Sequence, residues 1–261
     1  MRDRIGVVRV VFLGLTPVKG LRHLSLSSVE LDDHGPVGDR AFCLVDVERR
    51  TVLRTITHRA LVAATTSWDG TTLGIELPDG RRAEGVPALT GEQVTCDYWG
   101  RSVAHELTDG PHAALLSSYL GKDVRLAAAP RGGAVYGAPV SLVTTASLRD
   151  VEERTGRTDV LATSSRFRMT MVVDADEEPY AEDGWSGREL SLGDAVVRVN
   201  GPVGRCAVID LDPATGLKDG SLLKALSRYR PATDGEPWLG VDAHVVVPGT
   251  VTAAEPVARE N

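Results

Sequence analysis

The sequence predicts a mainly β protein of the α+β class, and three features carry that prediction. Short apolar runs of about six residues recur along the chain, turn residues separate them at spacings of about 8–12 residues, and helical patterning is confined to three segments. Such a pattern suits a barrel or a sandwich, because short strands joined by tight turns bury one face each against a common core.

The first strand is expected over 5–15, an apolar stretch interrupted by Arg9. Arg2 and Arg4 precede it, as in an export signal, but Arg9 breaks the run and Pro17 and Lys19 follow with no small-residue cleavage site. Strands are expected next over 24–31, 40–47, 60–68, 72–77 and 101–107. Asp32-Asp33-His34-Gly35-Pro36, Asp69-Gly70 and Asp79-Gly80 punctuate them with residues that tolerate turn geometry. A helix is expected over 111–120, with Pro111 suited to a first helical position and Gly121 to the stop. The glycine- and alanine-rich stretch from Ala127 to Pro139 reads as a loop that crosses between halves or wraps a ligand. A second helix over 145–155 starts at Thr144 or Thr145 and stops at Gly156. Strands return over 170–174, 188–192, 195–200, 206–211 and 243–247. A third helix over 220–229 places Leu222, Leu223, Leu226 and Tyr229 on one face before Pro231 ends it. The segment after Pro248 is polar and alanine-rich, and its last few residues are expected to be loose.

Composition narrows the function classes. The 261 residues suffice for one large domain or two intimate ones. A net charge of −7 argues against a general nucleic-acid surface while leaving room for a local basic site. No run approaches the ~18–20 apolar residues of a membrane span. A cytoplasmic monomer without nucleic-acid or membrane partners is the expectation. The three cysteines, Cys43, Cys96 and Cys206, form no CxxC and make a poor disulfide or zinc framework. Cys43 lies in the apolar run 41–45 and reads as a small buried residue.

No nucleophile elbow, phosphate loop, HExxH or GxGxxG occurs, and the six histidines show no ligand spacing. What stands out is a set of cations at strand ends: Lys19 before Gly20, Arg40 after Gly38-Asp39, Arg166 and Arg168 around Phe167, and Arg205 before Cys206. Converging at one end of a barrel, they would form an anion site, with arginine forks suited to phosphate. Left apart, they would be solvated charges paired with local carboxylates. The residues alone leave both readings open.

In their common order these segments resemble the MOSC proteins. Thr16-Pro17-Val18-Lys19-Gly20-Leu21 with Gly35-Pro36-Val37-Gly38-Asp39-Arg40 is similar to the opening of the MOSC N-terminal β-barrel. Ser165-Arg166-Phe167-Arg168, then Tyr180 to Trp185 with Gly193-Asp194-Ala195, and finally Gly204-Arg205-Cys206 with Asp212-Pro213-Ala214-Thr215-Gly216 resemble the family's later segments. The likeness runs over about residues 5–250 and is nearest to the amidoxime-reducing component and its bacterial homologues. The chain departs from the family at Met169-Thr170, where relatives carry Pro-Asn, at Thr16, where an aromatic is usual, and at Gly204, where serine or proline is common.

The resemblance implies a β-barrel-like N-terminal domain over 1–125 packed on a MOSC β-barrel core over 126–255, with a pyranopterin molybdenum cofactor between them. It implies Cys206 as the thiolate on the metal and the catalytic center. Lys19, Arg40 and Arg168 would bind the cofactor's phosphate and pterin, with Thr170 and Arg205 beside it. Soft thiolate sulfur suits a sulfur-ligated transition metal. The implied activity is reduction of small N-hydroxylated or N-oxygenated substrates, with electrons from a separate electron-transfer protein, since three cysteines cannot hold a four-cysteine iron–sulfur cluster. A sulfur- or cofactor-carrying module, or a specialized metabolite-tailoring enzyme, is the alternative on the same scaffold.

Overall fold

The computed structural model describes Ile5 and residues 8–254. Residues 1–4 and 6–7, where the start of the first expected strand falls, and the expected loose tail from 255 onward lie outside the described residues.

Two main β layers, with two three-stranded sheets beside them, make the mainly β fold. The first is a closed five-stranded barrel in the order Ala88–Tyr98, Arg101–Asp109, Arg125–Ala128, Phe42–Asp46 and Thr51–Val52. Its inward positions follow the period-2 rule of a strand: Val94, Cys96 and Tyr98 point in, and their neighbors point out. They meet Cys43, Val45, Val52, Leu107 and Ala127 in the barrel core. The two longest barrel strands are joined by Trp99-Gly100, both at positive φ (50° and 77°), which matches the twist a two-residue hairpin needs.

The second layer is an eight-stranded sheet that runs Glu189–Leu192, Ala195–Gly204, Glu236–Val247, Val140–Thr144, Met171–Asp174, Arg9–Leu15 and Leu24–Leu26, with Ala232–Thr233 on its border. Val140–Thr144 and Met171–Asp174 pair in parallel, so their connection must cross over a face of the sheet. That crossover contains the helix Thr145–Thr155, and its Leu148 and Val151 bury against Val143, Val172 and Phe167. The Thr144 side chain caps this helix through the Ser147 N–H, and Gly156 ends it at φ 69°.

The strand Arg9–Leu15 belongs to the sheet of the C-terminal half, because it pairs with Met171–Asp174. Ser28–Asp32 likewise pairs with Gly249–Thr252 near the other end of the chain. The opening segment therefore bridges both layers and carries residues 16–20 into the gap between them.

Several elements differ from the sequence expectation. The stretch 60–68 begins as a 3-10 turn, Arg59–Ala63, before the strand Thr65–Trp68. Expected strand 206–211 is instead a 3-10 turn, Ala207–Asp210; Ile209 buries as a strand residue would, but the chain must bend there away from the sheet. Ala88–Tyr98 was not foreseen, because its first six residues are all exposed and offer no apolar alternation. The third helix shortens to Leu222–Leu226, although Tyr229 still packs on the same cluster. The expected 24–31 strand divides at Ser27 because its two halves pair in different sheets. No helix of the described residues is long and apolar enough to cross a membrane.

Candidate functional site

A cavity of about 470 Å³ opens where the two layers meet. Its walls come from residues 19–20, Arg40, residues 54–56, the Trp99 hairpin tip, the 135–138 loop, Arg166 to Arg168, and residues 202–206. Six of the seven residues singled out from the sequence line it: Lys19, Arg40, Arg166, Arg168, Arg205 and Cys206. Thr170 stands behind the wall. Its hydroxyl accepts the Ser141 N–H at 3.1 Å, and its own N–H donates to the Ser141 hydroxyl at 3.2 Å. Ser141 does line the cavity.

Backbone lacing brings the cations together. Lys19 N–H donates to the Phe42 carbonyl, Phe42 N–H to Pro17 and Arg40 N–H to Thr16, at 2.7–3.0 Å. The Asp39 carboxylate accepts the Thr16 N–H at 2.8 Å and pairs with the Arg40 guanidinium. Gly14 N–H reaches the Thr170 carbonyl at 2.9 Å, which draws Arg168 to the same place. Both arginines leave the backbone at positive φ, 46° for Arg40 and 53° for Arg168. Side chains other than glycine, asparagine and aspartate rarely adopt that conformation, and such strain gathers at functional sites.

The charge balance is lopsided. Among the described residues neither Lys19 nor Arg168 has an ion pair. The Lys19 ammonium reaches the Ala134 carbonyl at 3.4 Å and lies about 5 Å from the Tyr98 and Trp99 ring centers. Burial, then the charges of Arg40 and Arg168, depress its pKa to about 7. Burial and Arg40 likewise bring Arg168 down to about 10. Three cations beside one carboxylate, Asp39, call for an anion.

Beneath them His23 is held neutral, its pKa pushed well below the ordinary value by burial and by Arg168 and Arg40. Its Nε2 lies 2.9 Å from the Met169 carbonyl, which can only accept, so Nε2 carries the proton. Nδ1 then accepts from the Thr16 hydroxyl at 2.9 Å, and Thr16 in turn accepts from Arg168 at 3.0 Å. This relay, with the Leu21 carbonyl at 2.8 Å, fixes the Arg168 fork. Thr16, which replaces the family's aromatic, is what makes the relay possible.

Cys206 is exposed, whereas Cys43 and Cys96 are buried in the barrel. It follows the strand Ala195–Gly204, whose register with Glu236–Val247 ends at Gly204 opposite Trp238. Arg205 lines the cavity, but its donors turn inward: Nε to the Leu239 carbonyl at 2.9 Å, one terminal nitrogen to the Phe167 carbonyl at 3.1 Å, the other to the Met169 sulfur. It ties the Cys206 backbone to the 167–169 turn. Met169, standing where the family has proline, supplies one of those contacts. Arg166 is also taken up, by a two-pronged ion pair with Asp219 at 2.9 and 3.0 Å.

Other motif segments are structural. Glu182, raised in pKa by burial, accepts from the Thr144 and Ser147 hydroxyls at 3.0 and 2.9 Å. The Asp212 carboxylate caps its own turn, and Gly216, at φ 69°, sits so close to the Arg59 carbonyl that a Cβ there would stand 2.2 Å away. Sequence reasoning missed Arg54, Trp99, Tyr136, Glu236 and Asp242 in the cavity wall. Trp99-Gly100 was readable as a hairpin tip, and Tyr136 lies in the 127–139 stretch expected to cross between halves or wrap a ligand; nothing local marked Arg54, Glu236 or Asp242. Among the described residues no three His, Cys, Asp or Glu side chains group to hold a bare metal ion. A metal at Cys206 needs its remaining donors from a cofactor.

Fold and site together define a two-layer β protein with one exposed thiol in a cation-rich cavity. The family comparison agrees: the MOSC N-terminal beta barrel domain matches residues 7–123 and the MOSC domain residues 119–258, and the chain belongs to the MOSC family. A protein named molybdenum cofactor sulfurase from Danio rerio is 40% identical over 65 residues, which cover 25% of this chain and 8% of that protein. The YUAD protein of Bacillus subtilis aligns over 94% of this chain and 91% of its own, at 11% identity and a TM-score of 0.43. A Bordetella bronchiseptica protein solved in solution aligns over 42% of this chain and 92% of its own, at 12% identity and a TM-score of 0.29.

Proposed function

We propose that the chain is a molybdenum-cofactor oxidoreductase that reduces small N-oxygenated compounds, N-hydroxylated ones above all. One observation carries the reading: an exposed thiol, Cys206, shares a cavity with the unpaired cations Lys19 and Arg168. The residues fit the cofactor on two counts. Its phosphate answers the missing negative charge beside Lys19, Arg40 and Arg168, and its metal accepts a single soft thiolate. The volume of about 470 Å³ lies within the range of small-molecule sites.

When bound, the cofactor supplies two-electron oxygen-transfer chemistry, the hard part that a protein delegates. The chain's residues do the rest. Arg168, fixed by Thr16 and Leu21, and Arg40, fixed by Asp39, hold the anionic end in place. Arg205 holds the Cys206 backbone, and the Tyr98 and Arg101 side chains pin the 134–135 loop as a wall that excludes water. Arg54, Trp99 and Tyr136 frame the substrate side. Each N–OH reduced consumes two electrons and two protons and releases water. A separate electron-transfer protein supplies the electrons, and the chain acts as a cytoplasmic monomer.

A second reading rests on the partial likeness to the protein named a cofactor sulfurase: Cys206 carries sulfur without turnover. One experiment separates the two. Cofactor-loaded protein receives a chemical one-electron donor and a panel of N-hydroxy compounds. Substrate-dependent donor oxidation, with the product lacking that oxygen, supports the reductase. A persulfide on Cys206 in protein that reduces nothing supports the carrier.

A further inference from the structure

Besides its cations the cavity has two carboxylates in its wall. Glu236 and Asp242 both lie on the strand Glu236–Val247 and both line the wall. Asp242 is already engaged, accepting the Ala138 N–H at 3.0 Å and facing the Asn200 amide at 3.3 Å, so it anchors the 137–138 loop. Glu236 is different. Among the described residues its half-buried carboxylate has neither a hydrogen-bond partner nor an ion pair. Arg205, whose charge it feels, has turned its guanidinium to the Leu239 and Phe167 carbonyls.

Gly204 seats this carboxylate. A Cβ at 204 would stand 2.8 Å from both the Cβ and Oε2 of Glu236, closer than real side chains approach. Glu236 therefore lies across the backbone two residues before Cys206, in space that the family's usual serine or proline would fill. The Tyr136 hydroxyl is pushed above its ordinary pKa first by Glu236, then by burial and by Cys206. The carboxylate, the phenol and the thiol all line the one cavity. The Trp99 and Tyr136 rings meet edge-on at 5.1 Å; Lys19 and Arg54 already face Trp99 at 5.0 Å, so the exposed Tyr136 ring is the aromatic surface beside the carboxylate.

We infer that Glu236, seated by Gly204, is a specificity-determining residue that makes the substrate end of the cavity a receptor for a cation. The preferred substrate carries a protonated amine besides the group that reacts. A carboxylate drawn partly out of water loses hydration that only an opposite charge or a donor can replace. The face of Tyr136 attracts the same cation. The inference rests on the proposed reading for the reaction, though not for what the pocket binds.

The test compares benzylammonium with its uncharged isostere benzyl alcohol, titrated calorimetrically at pH 7 into the purified chain with its metal content measured. Wild type should bind the cation at least about tenfold more tightly, the scale of one charge-assisted contact. Glu236→Gln, nearly isosteric, should erase that preference. Gly204→Ala should weaken it with the carboxylate still present, because the new methyl displaces it. Equal binding of the two probes to wild type, or a preference that survives Glu236→Gln, overturns the inference. Turnover is scored separately, on N-hydroxy compounds with an ammonium or a hydroxyl arm. Glu236→Gln should raise KM for the ammonium-armed compound about tenfold and leave kcat. Equal kcat/KM for both arms in wild type leaves the reductase standing and overturns the cation selectivity. A cation preference in loaded protein that reduces nothing overturns the reductase and leaves the receptor.

Discussion

Arg40 and Arg168 enter the cavity wall from opposite halves of the chain, both at positive φ, and the charge of Arg40 opposes that of Arg168. Each strained residue costs the fold about 1–3 kcal/mol, and the like charges add to the cost. The arrangement is held by its surroundings, through Asp39 on one side and the His23–Thr16 relay on the other. A ligand anion would relieve the repulsion.

Pyrophosphate should therefore stabilize the cofactor-free chain. At 100 times its Kd, a ligand of the folded state adds about 2.7 kcal/mol, or roughly 2–4 °C in Tm per kcal/mol for a chain of this size. Arg168→Gln should remove most of the shift. A thermal melt with and without pyrophosphate reads it; an unchanged shift in the variant would return the cations to the role of solvated strand ends.

Lys19 should make the stability of the cofactor-free chain rise with pH. Its folded pKa of about 7 lies below the ordinary lysine value of 10.5, so between those values the unfolded state binds more protons. Stability then grows with pH across that window, by up to about 1.4 kcal/mol per unit. Below about pH 7 both states carry the charge and the slope vanishes. Urea midpoints from pH 7 to 9.5 should climb for wild type relative to Lys19→Gln, and a saturating anion should flatten the difference. Parallel curves would contradict the buried, repelled ammonium.

Arg205 should behave unlike the other cations. Its removal leaves the carbonyls of Phe167 and Leu239 without their donor in the core. Arg205→Ala should cost about 2–4 kcal/mol of stability and loosen Cys206 with it. Lys19→Ala should cost the cofactor-free fold little. Chemical denaturation of the two variants checks the contrast.

Thr170→Val should weaken the Ser141 wall by about 1 kcal/mol through the lost acceptor, and lower cofactor occupancy. Thr170→Asn, whose carboxamide oxygen can accept the same N–H, should retain the cofactor. Occupancy measured on both variants decides it.

The mainly β class was legible because turn residues and short apolar runs are local signals. Ala88–Tyr98 was not, since its first six residues are all exposed and its register with the next strand slips between Leu89 and Gln93, which erases the apolar alternation. The turn at 207–210 reads as a strand because Val208 and Ile209 are β-branched, yet the chain there bonds to itself, Ile209 N–H to the Cys206 carbonyl and Leu211 N–H to the Val208 carbonyl. Lys19, Arg40, Arg168 and Cys206 could be picked out together only because their segments resemble a family in order. Glu236 carried no local signal: its place depends on a missing Cβ at Gly204, 32 positions earlier in the numbering.

The most direct test of the central claim, that Cys206 holds the metal in this cavity, is molybdenum per chain in Cys206→Ala made in a host that synthesizes the cofactor. Cys206 is exposed and caps nothing, so its variant should fold with an unchanged melting curve and yet lose the metal. Cys43→Ala and Cys96→Ala, in the buried barrel core, should lose some stability and keep it. Equal molybdenum in Cys206→Ala and wild type would contradict the account.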